Sequence, residues 1–162
     1  MDKLLPTLLL VFLTACSSVS VVSQRDRQVF LNDYFSFNWL SNAYDGGSDQ
    51  YRIMRIIQSQ ALREMTLRGY AYEPESPEIL VNLEAITETN PAPQNARKSG
   101  FRYWQGYNPS ITHNPGDVIV EFVDIEQEKV IWQGAIQNGL SAPQKEEKIG
   151  LIVKELFDQL NN

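Results

Sequence analysis

Cysteine occurs once in this 162-residue chain, at Cys16, and histidine once, at His113. A single cysteine excludes an internal disulfide, so the core holds without covalent staples. One cysteine and one histidine also fall short of the ligand set of a Cys/His zinc centre, and no acidic loop with metal-ligand spacing stands in for it, so neither metal nor cofactor is expected. Positive charge is scarce, with 14 Lys and Arg against 20 Asp and Glu and a net charge of −6. Such a surface repels nucleic acid and anionic headgroups, and no nucleic-acid partner is expected. After the first fifteen residues there is no apolar run of the roughly 20 residues that span a bilayer. At 43% hydrophobic and 21% charged residues, the composition is that of a globular domain.

Present instead is a strongly patterned N-terminus. Met1-Asp2-Lys3 precedes an apolar run from Leu4 to Leu13, followed by Thr14-Ala15-Cys16. The run has the length of a signal-peptide core and is too short to cross a bilayer. A plain secretory signal or an apolar N-terminal helix would also use such residues. The combination of Leu13-Thr14-Ala15-Cys16 in register with the end of the run and a cysteine used nowhere else resembles a bacterial lipoprotein signal. That resemblance implies cleavage before Cys16, lipid on its sulfur, and attachment to the membrane through that lipid. Each buried methylene contributes roughly 0.8 kcal/mol, so two or three acyl chains make a durable anchor. Ser17 rather than aspartate after the cysteine fits sorting to the outer membrane, facing the periplasm. The expected organisation is a signal peptide over 1–15, a lipidated tether over 16–24, and one domain over 25–162, an ordinary single-domain length.

Within the domain, Phe35, Phe37 and Trp39 alternate with Ser36 and Asn38, which predicts a first strand within 28–40. Ile53, Ile57, Ala61 and Met65 share one face of a helix over 50–68, with Ser48 or Asp49 as its cap and Gly69 as its stop. Residues 70–77 read as a connection. A second strand follows over 78–87, with Ile79, Val81, Leu83 and Ala85 inward and Asn82 and Glu84 outward. An aromatic third strand is expected over 101–107. The nearly all-apolar stretches 117–125 and 129–135, separated by Glu126-Gln127-Glu128, predict a central hairpin. A last helix over 143–160 stacks Ile149, Ile152, Val153, Leu156 and Leu160. The predicted class is α+β: a two-layer sandwich with an antiparallel or mixed sheet of about four to five strands and two helices on one face, leaving the other face polar.

In order and spacing, these segments resemble the DUF4136 lipoproteins. The features carrying the resemblance are the aromatic strand ending in Trp39, the helix ending in Leu67-Arg68-Gly69-Tyr70, the apolar strand from Glu78 to Leu83, and the strand, acidic turn and Val130-Ile131-Trp132-Gln133-Gly134 return. The polar, aspartate-containing lead-in of the family is shortened here. The resemblance implies a fold and an envelope location, and it brings no catalytic residues.

Three functional readings follow. A serine hydrolase would rely on His113 with Ser110 and Asp117, but no nucleophile-elbow glycines accompany them. Carboxylate pairs, Glu84 with Glu88 or Asp117 with Glu121, would serve as acid and base if they shared a strand face, and a wet sheet face explains them equally well. No catalytic residue is assigned, and an enzyme is not expected. The aromatic group Phe101, Tyr103, Trp104 and Tyr107 is the candidate interaction surface, because aromatic side chains bury large area at low rotamer cost. The leading expectation is a non-catalytic, lipid-anchored accessory module that docks onto another envelope protein. The alternative is a carrier for a small apolar or lipid ligand.

Overall fold

The computed structural model describes residues 19–40, 48–87, 111–140 and 145–161. Six strands and two helices are found among them: β1 (Ser20–Arg25), β2 (Ser36–Trp39), α1 (Asp49–Leu67), β3 (Ala71–Tyr72), β4 (Ile79–Ala85), β5 (Val118–Asp124), β6 (Lys129–Gln137) and α2 (Glu146–Asp158). The strands form one sheet in the order β1-β6-β5-β4-β2-β3. Pairings from β1 to β4 are antiparallel, and β2 pairs parallel with both β4 and β3, so the sheet is mixed.

The β5–β6 hairpin sits in the middle of the sheet as its sequence predicts. Every residue of β5 is buried, and so are Ile131 to Ile136 of β6. Strands flanked on both sides and covered on both faces carry near-continuous apolar runs, which is the pattern of 118–124.

The two strands formed where none was predicted, β1 and β3, are the edges of the sheet. Ser20–Gln24, predicted as tether with the domain starting near Arg25, is instead most of β1, paired residue for residue with β6 from Ser20↔Gln137 to Arg25↔Trp132. An edge strand has one neighbour and only partly buried side chains, here none of the six fully buried, so its apolar alternation is faint. β3 is two exposed residues within the predicted connection, held by Ala71 N–H donating to Phe35 O (2.7 Å) and Glu73 N–H donating to Phe37 O (2.8 Å).

β2 is shorter than the predicted first strand because a 3-10 turn over Leu31–Asp33 precedes it and buries Leu31. Phe37 and Trp39 point into the core, whereas Phe35 lies just before the strand and is 65% exposed. The expected aromatic strand over 101–107 lies outside the described residues.

α1 forms where the sequence places it. The Ser48 hydroxyl accepts from Tyr51 N–H (3.5 Å), and Gly69 closes the helix at φ +93°, with Tyr70 N–H reaching Met65 O (3.1 Å). α2 buries Ile149, Val153, Leu156 and Phe157. Both helices enter one core with the sheet face formed by Phe37, Val81, Leu83, Val120, Phe122 and Trp132. At its centre Phe122 meets Trp132 (5.1 Å between ring centroids) and Phe157 (6.1 Å), and Trp132 meets Phe157 (6.2 Å). Burial of each such ring contributes roughly 1.5–3 kcal/mol.

The opposite face was expected to be polar and wet. Its central residues are buried instead: Ile119, Glu121, Val123, Asn82, Gln133 and Ala135 are each at most 5% exposed.

Candidate functional site

Cross-strand register makes a buried polar row on this second face. Asn82 of β4 lies opposite Glu121 of β5, which lies opposite Gln133 of β6. The Glu121 carboxylate accepts from Asn82 Nδ2 (3.2 Å) and from Gln133 Nε2 (2.7 Å). A carboxylate 2% exposed is costly unless hydrogen-bonded, and these two amides supply part of that requirement. Ile119 and Val123 flank Glu121 on β5 and Ala135 follows Gln133 on β6, so the row is set in apolar surroundings. The sequence carried one trace of it, Glu121 interrupting an apolar strand. Asn82 and Gln133 gave no warning, because an amide at an alternate strand position reads as solvent-facing.

Asp117 does a different task one turn earlier. Its carboxylate accepts from the backbone N–H of Asn114 (2.7 Å) and of Asn138 (2.9 Å), clipping two loops to the start of β5. Four residues of extended strand place Asp117 and Glu121 about 13 Å apart along the backbone. Each is committed to its own partners, and the two are not brought together as an acid–base pair. For the other pair, Glu84 is half-buried on β4, while Glu88 lies outside the described residues.

His113 is half-buried, and neither ring nitrogen makes a hydrogen bond among the described residues. Burial pushes its pKa below the ordinary histidine value, against the opposing pull of Asp117 and Glu84, so the ring is neutral at neutral pH. The Asp117 oxygens that would orient it are occupied by the two loop amides. Ser110, the nucleophile that a triad would need, lies outside the described residues, as do the lipidation candidate Cys16 and the aromatic group Phe101, Tyr103, Trp104 and Tyr107.

Two further features are built by the fold. At the C-terminal ends of the helices, Arg68 pairs with Glu64 and with Asp158 (2.6 Å), and its guanidinium lies 5.8 Å over the Phe157 ring. Lys154 completes the group on Asp158 (2.5 Å), and these cations hold the Asp158 carboxyl below the usual range. Between α1 and α2 a groove of about 290 Å³ is lined mainly by Gln60, Arg63, Glu64, Glu146, Glu147 and Lys154. Leu151 and Gly150 complete its walls, so charged head groups and apolar surface are mixed there. Large apolar side chains do reach solvent elsewhere: Phe30 (69%), Phe35 (65%) and Tyr72 (49%) belong to the segments before β2 and to the β3 edge. Among the described residues no group of three or more His, Cys, Asp or Glu is arranged to hold a metal ion, and no helix is long and apolar enough to cross a membrane.

A family model described as a domain of unknown function, DUF4136, matches residues 21–160. Among solved structures, a DUF4136 family protein from Bacteroides thetaiotaomicron is similar with a TM-score of 0.55 and 14% identity, over 88% of this chain and 93% of that one. A PDZ domain protein from Parabacteroides distasonis is similar with a TM-score of 0.53 and 12% identity, over 85% of this chain and 34% of that one, so this chain corresponds to about a third of it. At these identities the likeness concerns the fold alone. No curated protein matches the sequence.

Proposed function

Since the chain belongs to the DUF4136 family, whose description assigns no activity, we propose that it is a non-catalytic, lipid-anchored envelope lipoprotein that works as a protein-interaction module facing the periplasm. The observation that carries this reading is the spacing at the N-terminus. Cys16 closes the apolar run, and the first strand of the sheet starts four residues later at Ser20. A signal of that form delivers a folded domain directly behind its anchor.

Two structural observations support the interaction role over the others. The carboxylates that a catalytic reading would use, Asp117 and Glu121, bind loop amides and side-chain amides of the sheet itself. Exposed Phe30, Phe35 and Tyr72 supply apolar area of the kind that partner surfaces use. The groove between the helices, about 290 Å³ with Arg63, Glu64, Glu146, Glu147 and Lys154 around Leu151, is at the small end of ligand pockets.

The test is native mass spectrometry of the lipidated protein extracted gently from its own membranes. A co-isolated polypeptide that is lost from a Phe35→Ser/Tyr72→Ser variant supports docking through this edge. A small bound mass in place of a polypeptide would overturn it in favour of the carrier.

A further inference from the structure

The two edges of the sheet are built differently. β3 is two residues long and runs into Glu73-Pro74-Glu75, features that discourage another strand from pairing there. β1 is six residues in unbroken register with β6, holds no proline and carries one charge, Arg25, and among the described residues no strand lies beyond it. Asp26 N–H donates to Ile131 O (3.0 Å), and these two residues continue the β1–β6 register, so Asp26 belongs to a hydrogen-bonded pair. Antiparallel pairs alternate, which makes Gln24, Val22 and Ser20 bond inward to β6 and turns the N–H and C=O groups of Val21, Ser23 and Arg25 outward.

The flank of α2 beside this edge is patterned to match. α2 packs over the β1–β6 pair. Gly150 faces Gln60 and Asp158 pairs with Arg68, so that side of α2 meets α1. The opposite side presents Lys148, Ile152 and Glu155 at helical spacing: a half-buried isoleucine packed against the core, with an exposed positive charge before it and an exposed negative charge after it. Leu156 lies against Gly134, which is opposite Ser23, and Ile152 is one turn away. The middle of this flank and the middle of β1 therefore lie at nearly the same level.

We propose that a second copy of this chain pairs with β1, antiparallel about a two-fold axis at Ser23, joining the two sheets into one. Ser23 then faces Ser23 of the other copy and Arg25 faces Val21, so the outward backbone groups of all three residues find partners and no like charges are opposed. With strands about 4.8 Å apart, a helix over the β1–β6 pair lies about 10 Å from its symmetry mate, the packing distance of two helices. In that antiparallel contact Ile152 meets Ile152, and Lys148 of each copy meets Glu155 of the other. The patch is self-complementary, as a two-fold interface requires, and this match selects a second copy over an unrelated strand. The opposite edge, with Tyr72, stays available to the partner proposed above.

The test is sedimentation equilibrium of the mature chain purified from its membranes, in density-matched detergent. The wild type should form a dimer. Ser23→Pro removes an N–H that points away from β6, and proline is tolerated at such an edge position, so the melting temperature should stay close to wild type while association weakens by about ten-fold or more. Lys148→Glu sets carboxylates against each other at both helix contacts and should also weaken association by about ten-fold. The exchange Lys148→Glu/Glu155→Lys should restore it, an outcome that loss of fold cannot mimic. A monomeric wild type overturns the proposal, as does a dimer indifferent to both Ser23→Pro and Lys148→Glu. A different polypeptide held on this edge and lost with Ser23→Pro, in place of a homodimer, gives β1 to another protein and overturns it too. Should Ser23→Pro fail to fold, the charge exchange decides alone.

Discussion

Trp132 is the residue on which most of the core converges, through its ring contacts with Phe122 and Phe157 at 1% exposure. Trp132→Ala should cost about 3–5 kcal/mol in a urea titration followed by circular dichroism. A loss below about 1 kcal/mol would mean that the ring is not in the core. Two residues along, a Cβ added at Gly134 would lie 2.4 Å from Trp132 Cη2 and 2.7 Å from Leu156 Cδ1. Gly134→Ala should therefore destabilise by about 1–3 kcal/mol, and pairing it with Leu156→Ala should cost less than the two single changes summed. The glycine is there for space, not for a turn. At this scale the sequence was informative about apolar residues and silent about buried polar ones. Trp132, Val153 and Leu156 were legible from their period. Glu121 and its amide partners Asn82 and Gln133 were not, because a polar side chain at an alternate position looks the same whether water or a neighbouring amide satisfies it.

Among the elements, the parallel β2–β4 ladder is fastened at its start by one side chain. Glu78 Oε2 accepts from Phe35 N–H (2.6 Å), Ser36 N–H (2.8 Å) and the Ser36 hydroxyl (3.0 Å), pinning the start of β2 beside the start of β4. Glu78→Ala should cost on the order of 1 kcal/mol and speed amide hydrogen exchange in β2 and β3 before β5 and β6 are affected. Those backbone hydrogen bonds hold the Glu78 carboxyl below its ordinary pKa. The ion pair with Lys129 does the same for Asp26, as Lys154 does for Asp158. For a depressed carboxyl the stabilisation is fully present above the unfolded-state value and is lost as pH falls through the folded one. Melting temperature should thus be flat with respect to these groups above about pH 5 and fall below about pH 4. A melting temperature that rises on acidification through that window would contradict the assignment. Legibility followed burial here too. The helices and the central hairpin announced themselves by strong periodicity, whereas edge strands β1 and β3 are short or half-buried, and long-range hydrogen bonding to β6 and β2 defines them.

For the whole molecule, the sequence and the fold meet just after Cys16, where the sheet begins at Ser20. The tether expected over 16–24 shrinks to the few residues before Ser20, because Ser20–Arg25 is a strand of the sheet. The periodicities implied an α+β sandwich with a sheet of about four to five strands and two helices, and the mixed six-stranded sheet and two helices among the described residues agree in class while adding edge strands β1 and β3. The role of the molecule was the least legible level. Interaction surfaces lack the fixed spacing that catalytic and metal sites impose, and the exposure of Phe30, Phe35 and Tyr72 depends on the turn before β2 and on the edge pairing of β3.

The central claim is the lipid at Cys16, and the most direct measurement is the mass of the N-terminal peptide of the mature protein taken from membranes. The account predicts a peptide beginning at Cys16 that carries a diacylglyceryl thioether and an acylated amine. A peptide that still contains Leu13-Thr14-Ala15, or one with a free Cys16 thiol, would contradict it.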